Sequence, residues 1–580
     1  MIKNHFYYVL FLCLGLPLVG HSQSEAPTFV TEHAMLHTDR QLYISGETIW
    51  FKMYVLVSRG NRLSDFSKIG YLELVSQEGT AVSRTKVALD KGNGTGTIKL
   101  PKTLNSGSYT LKAYTQGLRN SGEEGLGKLK LIILNPEQPI IRATADQPEA
   151  YEKFEPKEQS IVVPADKYLD VEIQTAQTTY AQRTKTTLEI STKDADGRAI
   201  ASQFSISVAL QAPAKESESG LFRETGTNTI STFPIPPMTI TYQPETHGMG
   251  ISGRVINEGT NNGEPDAEVY LAFPGKTALV YAAKTGKAGR FSFLLPKLFG
   301  LRQVVVQVRP KNETQLRLEL TDEFHEMEAV TSTPFVLPPA WEPLAKAAMV
   351  NAQVGQAYEA FELEPVYSTD DPFGGIPFFG KPEAQYYLDD FTRFPLPEFF
   401  FEVVPEVRVR GKYGAEQLAV LNEWIGPEGE IPPLLLVDGV PVFDERKFLK
   451  INNKLIASTE VVTAPFWLNP GIFDGVIQIS SFESDARCFT LPKTALRRSF
   501  LTLLPQQQFN TPDHEAKPDS RLPDFRNTLY WNPSIETDVE GKATISFFTS
   551  DALGTYNIRV ESVSDQGLLG TGSKVIRVVK

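Results

Sequence analysis

The chain has 580 residues, with 57 Lys and Arg set against 69 Asp and Glu, a formal net charge of -12. That length is more than one hydrophobic core organises, so several domains are expected. No long basic run interleaves with aromatic residues, so the phosphate-neutralising surface needed for nucleic acid is missing and no nucleic-acid partner is expected.

The first 27 residues read "MIKNHFYYVLFLCLGLPLVGHSQSEAP": Lys3, an apolar run from Phe6 to Val19, then small and polar residues. This is the pattern of a secretory signal over residues 1–23, with cleavage near Gln23. The apolar run falls short of the roughly 20 residues that span a bilayer. Leu12 occupies the place before Cys13 where lipoprotein processing wants a small residue. The mature chain is therefore expected to carry no transmembrane span and no lipid anchor. Only Cys488 would remain, which excludes an intramolecular disulfide.

Residues 27–136 alternate in short apolar and polar runs, such as "ETIWFKMYVLV", "IGYLELVS" and "GSYTLKAYTQG", separated by turns. Period-2 alternation rich in β-branched and aromatic residues predicts a β-sandwich. Gly46 in "YISGE" supplies positive φ for a turn that leads into a strand at Trp50 to Tyr54. Thr38, Asp39, Arg40, Tyr43, Gly46, Glu47 and Phe51, followed by Pro101, Gly107 and Tyr109, give this segment a resemblance to the MG2-like domains of the α2-macroglobulin superfamily. A second sandwich is predicted over 149–212, where "TTLEISTKDADGRAIASQFSISVAL" holds two strands around a turn at Asp196 and Gly197.

A linker rich in Pro, Ser, Thr and Glu follows at 213–247. Residues 248–330 resemble a carboxypeptidase-regulatory, transthyretin-like β-sandwich on "ISGRV", "GEPDAEVYL" and "TGKAGRFSFLLP", a domain usually structural and not a peptidase itself. A connector with one helix at "EPLAKAAMVNAQ" is expected over 331–384.

Residues 385–482 resemble the plug domain of TonB-dependent outer-membrane receptors. The motifs are "PLLLVDGVPVF", with a tight turn at Asp438 and Gly439 between apolar strands, then "IASTEVVTAP" and "GIFDGVIQISS". The chain departs from that family at "WLNPGIF", where a small, Gly-rich lead is common. Residues 520–580, with "TLYWNP", "ISFFTSD" and "GTYNIRVES", are similar to a central α2-macroglobulin domain. The fold class is thus mainly β: tandem macroglobulin-like and transthyretin-like sandwiches with one small α/β plug-like module.

Patterns that would carry chemistry fail one by one. The "GCGEQ" thioester of many α2-macroglobulins is absent, and Cys488 in "SDARCFTLP" reads as a harmless thiol. After His325, Ala329 stands where a zinc-protease helix needs its second histidine, so His325 reads as solvated. "GKT" at 275–277 lacks the first glycine of a phosphate loop, its place being taken by Tyr270. "DADG" at 194–197 lacks the ligand spacing of a calcium loop, and no G-x-S-x-G elbow occurs. No catalytic, metal or cofactor-binding residue is assigned. A receptor barrel of about 22 strands needs roughly 220 strand residues. The residues after Ser480 are too few for that and those of 520–580 read as a sandwich, so no barrel is expected from them.

Two candidate binding stretches remain. One is the turn of Asp438, Gly439, Val440 and Pro441. The other is the run Phe399, Phe400 and Phe401, which either fills a groove between neighbouring units or forms a partner-binding strip. The expectation is a non-enzymatic exported scaffold or docking protein. Its place would be the periplasm, the outer membrane or the cell surface, and its partner an envelope or outer-membrane protein such as a TonB-dependent receptor. The alternatives are a thioester-independent macroglobulin-type protease inhibitor, with a bait at 211–247 or 331–384, and a glycan- or peptide-binding accessory protein of nutrient uptake.

Overall fold

The computed structural model describes residues 32–57, 62–139, 161–212, 221–225, 241–310, 315–325, 335–358, 376–388, 391, 394–412, 416–421, 431–517 and 520–580. The expected signal at 1–23, and much of both expected bait segments, lie outside the described residues.

The fold is mainly β, in sandwiches. The first sandwich packs a sheet of Glu32–Thr38, Thr48–Val57 and Asn93–Lys99 against a sheet ordered Leu42–Ile44, Gly127–Leu134, Gly107–Tyr114, Ile69–Val75 and Ala81–Ala88. A free-standing sandwich would leave alternate positions of each strand in water. Here Glu32–Thr38 and Ile69–Val75 are buried at every position. The outward faces of both sheets are therefore covered by other parts of the chain.

The second sandwich corrects the sequence reading. Strand Lys185–Lys193 pairs along its length with Lys542–Phe548, and Ser202–Leu210 lies between Thr528–Glu536 and Gly554–Ser564. The segments expected as separate sandwiches at 149–212 and 520–580 are two halves of one. Their side chains share a core in which Leu188, Ile190, Phe204 and Ile206 meet Ile545, Phe547, Tyr556 and Ile558. Either half alone would leave open strand edges and an uncovered apolar face, which is why neither forms a domain by itself.

Everything between Leu210 and Thr528 is thus an excursion from this composite sandwich. Within it, an inner sandwich has one sheet built on Gly250–Asn257 and a second ordered Leu279–Lys284, Glu268–Phe273, Leu301–Val308 and Ala495–Leu501. The expected span of 248–330 misses that last strand. The strand pairs Leu301–Val308 only after the chain has passed through an α/β unit. The first and inner sandwiches share one apolar cluster, joining Val87 and Leu89 to Phe500, Leu503 and Val304.

Two helices support this arrangement. Helix α1, Glu342–Ala357, begins with Pro343 in its first turn and an acidic Glu342, both suited to a helix N-terminus. Its small buried stripe of Ala345, Ala348 and Ala352, with Trp341 before it, packs on Leu42, Ile44, Ile132 and Leu134 of the first sandwich. Helix α2, Leu396–Val403, belongs to the α/β unit. The sheet of that unit is ordered Ala384–Tyr387, Ile456–Val462, Val476–Ser481, Leu434–Val437 and Val440–Pro441.

A chain truncated after residue 504 is expected to lose the fold of 161–210 completely. Limited proteolysis should then cut within Lys185–Lys193, whereas independent sandwiches would leave that strand protected.

Candidate functional site

The Asp438 turn is not offered to solvent. Asp438 and Gly439 both take positive φ, 48° and 82°, as a two-residue hairpin turn requires. The Asp438 carboxylate is buried and accepts hydrogen bonds from Ser481 N (2.7 Å), Ser481 Oγ (2.6 Å) and Ala486 N (2.8 Å). The turn docks on the inner sandwich: Gln307 Nε2 donates to the Pro441 carbonyl at 2.6 Å, and the Tyr270 and Phe443 rings lie 4.9 Å apart. A Cβ added at Gly439 would sit 2.0 Å from Ala278 Cβ. Val440 and Pro441 are buried too.

The phenylalanine run divides. Phe399 and Phe400 are fully buried among Phe391 and Phe448, whereas Phe401 is 70% exposed. Successive residues on a helix are about 100° apart, so the third ring of the run turns away from the core that takes the first two.

Polar side chains instead converge at the joints between sandwiches. At the first, "TDRQLYISGE" does more than shape a bend. Asp39 Oδ1 accepts from Tyr43 Oη (2.8 Å) and Trp50 N (3.0 Å), and its Oδ2 accepts from Thr528 Oγ1 of the composite sandwich (2.6 Å). Burial raises the Asp39 pKa, against the pull of Arg40 and the Thr528 hydrogen bond. Arg40 pairs with Glu47 at 3.0 Å and lies over the Tyr43 ring. Glu47 Oε1 accepts from Asn527 Nδ2 at 2.9 Å, and Asn527 also donates to the Ala348 carbonyl of α1. One motif therefore bolts together the first sandwich, the composite sandwich and the helix.

Deeper in that joint, His37 Nδ1 lies 2.6 Å from Ser205 Oγ, and Tyr54 Oη lies 2.7 Å from the same hydroxyl. A nucleophilic serine needs a histidine oriented by a third group, usually a carboxylate, and access for substrate. His37 Nε2 faces Ser207 Oγ at 3.5 Å, and His37 is fully buried against Trp531. Burial also lowers the neighbouring Lys52 to about 7. The group has the geometry of a joint contact.

The joint between the first and inner sandwiches is built on Lys86, which is fully buried. Its ammonium is 2.5 Å from Glu323 Oε2 and 4.2 Å from the centre of the Phe500 ring. His325, expected to be solvated, is part of this joint. Its backbone N donates to Tyr114 Oη at 2.8 Å, and its Nε2 lies 2.9 Å from Glu123. Nearby, Glu245 accepts from Tyr71 Oη and from Gly250 N, both at 2.8 Å, and burial raises its pKa to about 7. Cys488 is half-buried, and burial with the nearby Asp438 charge pushes its thiol up to about 11, so it stays protonated at neutral pH.

Where the first sandwich, α1 and the segment before Thr528 meet, a cleft of about 400 Å³ opens, a size at which small-ligand sites begin. Trp50, Phe509 and Phe525 line it, with Lys99 and Lys102, and its base is the Asp39–Arg40–Glu47 network. In the sequence these last residues stand as family markers and turn formers. Their convergence depends on Asn527 and Thr528, nearly 500 positions along the chain, and no local pattern could have shown it. Among the described residues, no group of three or more His, Cys, Asp or Glu is placed to hold a metal ion, and no helix is long and apolar enough to cross a membrane.

No family model and no curated protein matches the sequence. Solved structures that it resembles include α2-macroglobulin of Escherichia coli activated by trypsin, at 8% identity and a TM-score of 0.25, covering 95% of this chain and 42% of that one. The native conformation of the E. coli protein gives 9% and 0.24, covering 96% and 40%. The Salmonella α2-macroglobulin reacted with methylamine gives 9% and 0.24, covering 95% and 39%. The chain spans about two-fifths of the length of these proteins.

Two outcomes test these joints. Gly439→Ala should destabilise the protein by about 2 kcal/mol or more in denaturant melts, because it combines positive φ with a clash against Ala278. The second concerns Glu245, whose folded pKa lies above its unfolded value, so its contribution is full below pH 4.5 and is lost as pH rises towards 7. At 1.36 kcal/mol per unit the loss is at most about 3 kcal/mol. Glu245→Gln should therefore gain on the parent as pH rises from 5 to 8, read as a growing difference between the two melting curves.

Proposed function

We propose that the chain is a non-catalytic docking protein of the bacterial envelope, exported by its N-terminal signal and working through protein–protein contacts made by the inserted α/β unit. The observation that carries this reading is where apolar surface stays uncovered. Of the twenty large apolar side chains exposed among the described residues, nine fall within 376–482, which holds about a fifth of those residues. They include Phe401 at 70% and Trp467 at 74%. Large apolar rings left this exposed are the side chains a partner would cover. The buried polar clusters, by contrast, are engaged in holding sandwiches together, which supports a scaffold over an enzyme.

The plug-like motifs of 385–482 support an outer-membrane partner such as a TonB-dependent receptor, and the macroglobulin-like motifs support a rigid multi-sandwich presenter. Fold likeness alone does not carry that activity. The reading calls for no cofactor.

The test is recovery of a partner on tagged full-length chain from native envelope membranes. Phe401→Ser combined with Trp467→Ser should cut that recovery by about tenfold or more, as loss of exposed aromatic anchors does, with the melting temperature unchanged. Undiminished recovery with the double variant would remove the inserted unit as the docking face.

A further inference from the structure

We infer that the cleft between the first sandwich, helix α1 and the segment leading into Thr528 is a second binding site, for a short acidic peptide segment with an apolar side chain. It lies apart from the inserted unit and stands independently of the docking role given above.

The chemistry of the cleft comes from what its neighbours have already used. The carboxylates at its base are saturated: Asp39 accepts from Tyr43, Trp50 and Thr528, and Glu47 from Ile44 N, Asn527 and Arg40. Arg526 is held by Asp524 through two contacts of 2.7 and 2.9 Å. Lys99 and Lys102 make no ion pair among the described residues. Both side chains are exposed, and the stem of Lys102 lies against Gly46, where an added Cβ would be 3.0 Å from Lys102 Cγ. Two uncompensated ammonium groups at one mouth stand out on a chain of net charge -12, and they select an anion.

The walls select what the anion is attached to. Trp50 and Phe509 meet edge to face, 5.2 Å apart with their planes at 79°, and Phe525 closes the same wall. Trp50 is only 5% exposed. It therefore offers no broad ring face of the kind on which a sugar stacks. A wedge of aromatic edges instead receives an aliphatic or aromatic side chain. At about 400 Å³ the space suits a few side chains of an extended segment. Gln356 of α1 and Asn510 line the same cleft and supply amides for a peptide backbone.

The experiment is isothermal calorimetry on the full chain with three blocked tripeptides, Glu-Phe-Glu, Gln-Phe-Gln and Lys-Phe-Lys. Glu-Phe-Glu should bind, the other two at least about tenfold more weakly, and added salt should weaken it further because both lysines are exposed. Lys99→Ala with Lys102→Ala should weaken Glu-Phe-Glu by about tenfold or more with an unchanged melting temperature, since neither side chain is in the core. The proposal is overturned if Gln-Phe-Gln binds equally well, if the double variant binds as the parent does, or if no heat appears up to about 10 mM, already weak binding. An oligogalacturonate that binds where the peptide does not would assign the cleft to an acidic glycan and overturn the peptide.

Discussion

The architecture depends on one closure. The ladder between Lys185–Lys193 and Lys542–Phe548 joins parts of the chain separated by most of its length. Until it forms, the strands of 161–210 have an open edge and half a core. Loop-closure cost grows only logarithmically, by about 0.6 kcal/mol for each doubling of length, so a long excursion is thermodynamically tolerable. Kinetically it is demanding, because non-local pairing is slow and exposes edges meanwhile. The first sandwich and the inner sandwich share one apolar cluster, which ties the excursion to the earlier part of the chain by contacts independent of that ladder.

That closure explains the character of the joints. Taking an ion out of water costs several kcal/mol unless its hydrogen bonds are replaced. Asp39 and Glu323 lie in such joints with their oxygens engaged by groups from separate sandwiches. These contacts are weak arguments for stability and strong ones for orientation. An apolar interface tolerates sliding, whereas Asp39 is satisfied only when Thr528 stands opposite it. The result is a set of sandwiches fixed in register with one another.

The sequence carried the strands well and the assembly poorly. Period-2 runs such as "TTLEIST" and "ISFFTSD" announced their elements, and "VDGV" announced its turn. What alternation records is that a strand has one apolar face. It is silent on which strand lies beside it, so two half-sandwiches read as two domains. Buried polar positions such as His37, Lys52 and Lys86 find their partners on other sandwiches, at Ser205, Gln203 and Glu323, which alternation along a single strand does not record. The Asp438 turn, a candidate binding stretch by its sequence, has the local chemistry of an exposed hairpin, and it is Ala278, Gln307 and Tyr270 that show another sandwich covering it.

The inserted unit is held in more than one way, and this bears on how it can act. Its chain leaves into Ala495–Leu501, a strand of the inner sandwich, while the turn at 438–441 docks on the same sheet through Gln307 and Tyr270. Arg497 on the outgoing strand donates to the carbonyls of Asp485 and Ala486, the latter residue donating its N–H to the Asp438 carboxylate. A unit on one flexible tether would absorb a partner's pull by swinging. Here a load on the unit passes into strand Leu301–Val308 and, through the shared cluster, to the first sandwich. The unit is therefore held in a fixed orientation, and under the docking role proposed above that rigidity would lower the entropic cost of engaging a partner.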